Sequence, residues 1–291
     1  MRDYVIATDS DTEIPFTYSD EHNIPVFLMP YTVNGEERLF DLGRNTDFKA
    51  FYQELRDGAE AVTSTRPPAD IADFFREIVK DDKEVLYLSF SSALSGHYDL
   101  TLMARNMVLE EYPDARIEIV DTLRISMGAG ELVIYAQQLK EEGKSLEEVR
   151  DWVVANRQRA HAWFSVDDLN YLKKGGRLSG AAAAIGTILD VKPILKLNRE
   201  GKIVAADKVK GNKKILKYFL NVIQENVEQP EEQTAYVLHA DSIETAIKMK
   251  QAIEESVAFR EVRIQDIGPV IGCHTGPGAM ALIFMGKEMV S

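Results

Sequence analysis

The chain has 291 residues, 45% of them hydrophobic and 28% charged, and carries a net charge of -13. That length exceeds one ordinary core and suits two domains, while the acidic balance argues against nucleic acid, whose phosphates call for a surplus of Lys and Arg. A single cysteine, Cys273, excludes an internal disulfide, and five scattered histidines give no zinc spacing.

The opening, M-R-D-Y-V-I-A-T-D-S, lacks the apolar segment of a signal peptide, and no apolar run is long enough to span a bilayer. A cytoplasmic protein is the expectation. Tyr4 to Ala7 reads as a strand that delivers Thr8, Asp9 and Ser10 to its carboxyl end, where open α/β sheets usually bind ligands. Pro25 to Val33 reads as a second β segment, and Asn34-Gly35 after it is a hairpin or turn signal. A helix is expected from Thr46 to Leu55. Next come Val62, Thr63, Ser64, Thr65, Arg66, Pro67 and Pro68, a stiff polar turn. The two prolines delay a helix to Ala69 or Asp70.

Val85 to Phe90 is an apolar run that breaks at Ser91, Ser92, Ala93, Leu94, Ser95 and Gly96, with a helical pattern beyond. Strand, hydroxyl-rich turn and helix in that order place several hydroxyl donors beside the unpaired N-H groups of a helix N-terminus, where negative charge is favoured. A lone serine there would be an ordinary cap. Here a second hydroxyl-rich turn, at Thr63 and Ser64, also feeds a helix, so the two are placed to converge on one small anion. In the helix after Ser95, the stripe of Leu100, Met103, Ala104, Met107 and Val108 is expected to face the core.

Ile117 to Val120 is a strand leading to Asp121 and Thr122. Ser126 to Gly130 reads as a small-residue turn before a helix from Glu131 to Lys140. No nucleotide-binding loop occurs, neither G-x-x-x-x-G-K-[ST] nor G-x-G-x-x-G. Ser145 with Glu148 is a capping box. Up to about Asn156 the alternation of strand and helix predicts a mainly parallel sheet.

Beyond it the pattern changes. Ala162 to Val166 is a strand, L-N-Y-L-K-K a short helix, and Gly175-Gly176 a bend at positive φ that sets Arg177. Ala181 to Leu189 is small and apolar, suited to close packing. Ile194 to Leu197 and Lys202 to Val209 form a hairpin. Helix, strand, helix and strand follow to Ile267, a second α/β unit whose sheet is mixed. Between Lys173 and Lys214 basic residues crowd together, a solvated face or a docking surface for an acidic partner. Near the end, Gly268 to Gly278 fixes an unusual backbone path around His274, and a strand follows at Ala281 to Met285.

The blocks T-S-x-x-P at Thr63 to Pro67, S-S-A-L-S-G-H-Y, D-T-x-x-x-S-M-G-x-G from Asp121, L-N-Y-L-K-K-G-G-R-L-S and G-P-V-I-G-C-H-T-G-P-G resemble the DegV family of fatty-acid-binding proteins, in that family's order and over essentially the full chain. The resemblance implies two α/β domains, residues 1-158 with a mainly parallel sheet and the carboxylate-binding turns, and residues 159-291 with a mixed sheet covering the acyl chain. One long-chain fatty acid is expected between them, with no cofactor and no metal. The family's bacterial members act as carriers for a separate fatty acid kinase, which makes an acyl phosphate for phospholipid synthesis. The carrier has no turnover of its own and meets the membrane only transiently, through an acyltransferase.

Carried over residue by residue, the carboxylate falls against Thr63 and Ser95, with Ser64 and Ser92 beside them. Arg177 and His274 match positions that present the carboxylate and work with the kinase. Lys210 stands where arginine is usual, keeping the charge but losing bidentate geometry. Arg66 and His97 are further departures, at positions next to the two turns. From the residues alone two other readings stay open: a hydrolase using Ser95 and His274 with Asp9 or Asp121 as orienter, although G-x-S-x-G is missing, and a binding module for another small carboxylate or phosphate.

Overall fold

The computed structural model describes residues 3-178 and 191-289. The expected close-packing segment Ala181 to Leu189 lies outside the described residues, as does Ser179 of the G-G-R-L-S block. The architecture is α/β with two principal sheets. The first has four strands in the order β2-β1-β6-β7: β1 (Tyr4–Asp9), β2 (Val26–Phe27), β6 (Glu84–Ser89) and β7 (Ile117–Asp121), all parallel. Every residue of β1 is buried, as a central strand covered on both faces requires. Parallel pairing brings the carboxyl ends of all four strands to one edge, so Asp9, Phe27, Ser89 and Asp121 open towards the same space.

The expected second β segment is two strands in two different sheets. After β2, the chain turns into β3 (Pro30–Val33), which pairs antiparallel with β4 (Glu36–Leu39) and β5 (Ala61–Thr63) in a separate three-stranded sheet. The turn between β3 and β4 has Asn34 at φ 50° and Gly35 at φ 85°, the two left-handed residues a tight hairpin of this twist needs. This small sheet carries Thr63 on its last residue.

The helices of this half are α1 (Phe16–Glu21), α2 (Phe48–Arg56), α3 (Pro68–Val79), α4 (His97–Glu111), α5 (Met127–Glu141) and α6 (Leu146–Asn156). Three expectations are corrected here. Helix α3 begins at Pro68 itself, because the first helical N-H has no partner to lose. In α4 the buried positions are His97, Thr101, Ala104 and Val108, while Met103 and Met107 are exposed. The sheet thus meets the helix face rotated from the sulfur-bearing stripe. The small residues from Met127 to Gly130 are the first turn of α5, not a loop; Gly130 has to be small because a Cβ there would lie 2.5 Å from the Thr12 carbonyl oxygen. The capping box of Ser145 and Glu148 is formed.

The chain crosses to the second sheet through Arg157–Arg159. That sheet has six strands in the order β10-β9-β8-β13-β11-β12: β8 (Ala160–Ser165), β9 (Lys192–Leu197), β10 (Ile203–Val209), β11 (Thr234–His239), β12 (Glu261–Asp266) and β13 (Met280–Met285). Only β11 and β12 are parallel, which makes the sheet mixed. Helices α7 (Asn170–Lys174), α8 (Asn212–Asn226), α9 (Ile243–Ser256) and α10 (Pro269–Thr275) complete this half. The Gly268 to Gly278 stretch is therefore largely helical, with the unusual backbone confined to Gly276 at φ 70° and Gly278 at φ 85°.

Strand alternation divides the core in two. Along β13, Ala281, Ile283 and Met285 join the cluster that runs into the parallel sheet, whereas Met280, Leu282 and Phe284 join a second cluster with Phe219 and Ile223 of α8 and Met249 and Ile253 of α9. One face of the mixed sheet is thus turned towards the first half and the other is sealed by two helices. Among the described residues no helix is long and apolar enough to cross a membrane.

Candidate functional site

A cavity of about 470 Å³ lies between the carboxyl edge of the parallel sheet and the inward face of the mixed sheet. Ala162, Phe164, Leu238, Ala281 and Ile283 of β8, β11 and β13 form one wall, with Leu197 and Ile203 from the hairpin. Alternation explains the choice: these side chains share one face of the pleated sheet. Polar groups gather elsewhere in the lining, as Asp11, Thr63, Ser64, Thr65, Ser95, Ser126, Arg177, His274 and Thr275. An apolar cavity of this size with a few convergent polar groups is the ordinary form of a small-molecule site.

Thr63 and His274 meet directly, with Thr63 Oγ1 2.8 Å from His274 Nε2. His274 sits on α10, whose approach is fixed by Tyr52 donating to the Ile267 carbonyl at 2.8 Å and by Gly268 N-H donating to Glu13 Oε1. Gly272 lets α10 press on α2, since a Cβ there would lie 2.7 Å from the Phe51 ring. Burial, with the nearby Arg177 charge, pulls the His274 ring down to about 4, so it is neutral at pH 7. Its Nδ1 has no partner among the described residues. Assigning the ring hydrogen to Nε2, the nitrogen that has one, makes His274 the donor and leaves the Thr63 hydroxyl proton free for the cavity.

Ser95 reaches the same cavity from the other hydroxyl-rich turn. The N-cap position of α4 is Gly96, but Ser95 Oγ accepts from the first helical N-H, that of His97, at 3.2 Å, and its own hydroxyl proton can donate into the cavity. Arg177 is anchored by donating Nε to the Leu94 carbonyl at 2.9 Å and Nη1 to the Gly175 carbonyl, which ties the serine turn to the mixed-sheet half. Of the two glycines before it only Gly176 takes positive φ, 73°; Gly175 is needed because a Cβ there would lie 2.1 Å from His274 Nδ1.

Thr63, Ser64, Ser95, Arg177 and His274 therefore share one cavity. Ser92 is exposed and lines an adjoining depression with Ser95, Asp99, Arg177 and Lys202. Lys210 is exposed just after β10 and lines neither space. Arg66 is held by Asp70 at 2.9 Å and lies over the Phe27 ring, away from the lining. His97 is a core residue: its ring stacks on Phe27 and Phe90, and Nε2 lies 3.0 Å from the Tyr87 hydroxyl.

The hydrolase reading loses its orienter. Asp9 accepts from Asp11 and Phe90 N-H, Asp121 accepts from Ser92 and Leu123 N-H, and His274 Nδ1, which an orienting carboxylate would hold, is bare. Among the described residues no group of His, Cys, Asp or Glu converges as a metal site. Asp11, Ser126 and the apolar wall escaped the sequence reading. Asp11 stands two residues beyond the carboxyl end of β1, the signal it offers, whereas Ser126 reads only as part of a small-residue turn and of the D-T-x-x-x-S-M-G-x-G block, with no site role.

The sequence model of the family described as "Uncharacterised protein, DegV family" matches residues 3–287. The chain belongs to the DegV family. A DegV domain-containing protein of Clostridium perfringens is 40% identical over 286 residues, 98% of each chain. The fatty-acid-binding DegV family protein of Thermus thermophilus superposes with a TM-score of 0.86 at 30% identity, covering 98% of this chain and 100% of that one. DegV of Bacillus subtilis, a fatty acid binding protein, gives a TM-score of 0.85 at 27% identity over 99% and 100%. The family's two-domain α/β fold is thus the fold of this chain.

Proposed function

We propose that this chain binds one long-chain fatty acid in the cavity between its residues 1-158 and 159-291 and presents the carboxylate to a separate fatty acid kinase in the cytoplasm, the acyl phosphate passing on to phospholipid synthesis. The observation that carries the reading is the pairing of an apolar wall with convergent hydroxyl donors, Thr63 and Ser95, beside Arg177 and His274. A carboxylate taken out of water must be hydrogen-bonded, and these groups supply donors. The tail supplies the affinity: at about 0.8 kcal/mol per methylene, a chain of about fourteen gains roughly 11 kcal/mol before ordering costs. Thr63, Ser64 and Ser95 hold the head group from the cavity, and Ser92 supports it from the adjoining depression.

Phosphoryl transfer requires a nucleotide and a metal beside the acceptor oxygen, and the sequence carries neither recognised loop, so the kinase is assigned both. Lys210 is exposed and suits a contact with that acidic or phosphate-bearing partner. The test is organic extraction of the purified protein followed by mass spectrometry, with palmitate and oleate titrated into the delipidated chain. Near-stoichiometric fatty acid, converted to acyl phosphate when a fatty acid kinase and ATP are added, is expected. Recovery of none, with no binding of either added acid, overturns the reading.

A further inference from the structure

Asp11 is a carboxyl group in the lining of an otherwise hydroxyl-rich and apolar cavity. It is 4% exposed, and its Oδ1 is buried with no hydrogen-bond partner among the described residues. Its backbone is fully engaged, the N-H donating to Asp9 Oδ1 at 3.1 Å and the carbonyl accepting from Ser126 N-H at 2.9 Å, so the side chain is held against the cavity wall while its own oxygen is unsatisfied. A buried polar atom without a partner is costly, and in a residue that lines a ligand cavity it points to a head-group contact that completes the arrangement.

We propose, resting on the carrier reading above, that Asp11 is a further head-group residue which, as the neutral acid, donates its own O-H to the bound carboxylate. Two carboxyl groups then share one proton, the arrangement adopted when like acids are forced together away from water. The groups facing Asp11 set its charge state. Asp9 and Glu13, on its own segment, disfavour a further negative charge, and burial is the largest influence in the same direction. Arg177 from beyond α7 opposes them. Tyr87 on β6 and Cys273 on α10 are neutral neighbours whose own ionisation Asp11 would hinder, and His274 on α10 is uncharged. The net result holds Asp11 well above the usual carboxylate range. Ionising it would set two negative charges against each other in a dry site, so alkaline solution should release the ligand.

The test titrates palmitate, labelled with carbon-13 at its carboxyl, into delipidated protein between pH 5.5 and 9 by calorimetry and NMR. For the wild type, affinity is expected to fall about tenfold or more across the alkaline limb, the size of one lost charge-assisted hydrogen bond. Asp11→Asn, which keeps a donor that cannot ionise, should bind within about threefold of wild type near neutrality with that limb flattened, and should move the labelled carboxyl resonance. Asp11→Leu should bind about tenfold more weakly at pH 6. Superimposable pH profiles and carboxyl resonances for wild type and Asp11→Asn overturn this proposal alone. Wild-type protein that binds no fatty acid at any pH overturns the carrier reading and this proposal together.

Discussion

The two faces of the mixed sheet are built from the same strands and do opposite things. On the outward face Met280, Leu282 and Phe284 of β13 are locked against α8 and α9. On the inward face, their immediate neighbours Ala281 and Ile283 border the cavity. A shift of one residue along the strand therefore separates a side chain whose partners are all present from one that lines space for a ligand. On the inward side large residues such as Phe164, Leu238 and Ile283 line the cavity together with Ala162, Ala279 and Ala281, whose small side chains leave room between them.

The largest expected effect tests that contrast on stability. Leu282→Ala should cost about 2–5 kcal/mol, because it empties a filled site, and urea unfolding would read the loss; fatty acid binding per folded molecule should be unchanged. Ala281→Phe should do the reverse, filling ligand space so that palmitate binding falls at least tenfold, while the melting temperature of the ligand-free protein holds or rises. A large stability loss in Ala281→Phe with binding intact would erase the distinction between the faces.

A smaller effect is expected at the polar lining. Thr63→Val preserves shape and removes the hydroxyl, leaving His274 Nε2 without its partner. Palmitate affinity should drop by roughly 1–2 kcal/mol, measured by calorimetry, with little change in the apolar wall. Unchanged affinity would move the head group elsewhere in the cavity.

The smallest effect distinguishes two histidines, one on each side of the sheet. His161 stacks on Phe284 at 4.8 Å, and His274 lines the cavity. Burial brings both down to about 4. Each therefore binds fewer protons folded than unfolded between about pH 4 and 6.5, so each makes stability rise with pH through that window. Glu13 and Asp9, raised to about 7 by burial, act oppositely: the folded state holds more protons, and their contribution falls as pH rises from about 4 to about 7. Adding palmitate should raise the His274 titration, seen by NMR, because a carboxylate beside it favours the charged ring, and leave His161 unmoved. Equal shifts at both would mean a global change rather than a local ligand.

Much of this was legible in the residues. Thr63, the last residue of β5, and Ser95 each belong to a strand-to-helix connection, and such connections are local grammar, set by proline, serine and the period of the apolar pattern. Arg177 and His274 stood out through the glycines around them and the family resemblance. What the pattern misassigned were features decided by contact: which stripe of α4 meets the sheet, how Ser126 to Gly130 enters a helix, and the division of Pro25 to Val33 into two strands of different sheets. Asp11 carried too little local signal to be chosen, since one acid after a strand is common in any acidic chain.

By itself the sequence determined the alternation of strand and helix in the first half, the two principal sheets of different character, the hydroxyl-rich connections and the family, because periodicity and turn chemistry act within a few residues; α1, β4 and β5 were not among its elements. Only the tertiary structure decided that Thr63 lies 2.8 Å from a histidine 211 residues away, that His97 is core and His274 is not, and that a residue of the cavity lining, Asp11, carries a buried oxygen with no partner among the described residues. Those facts depend on which surfaces meet when the chain folds back on itself, and burial then sets the charge of whatever is enclosed.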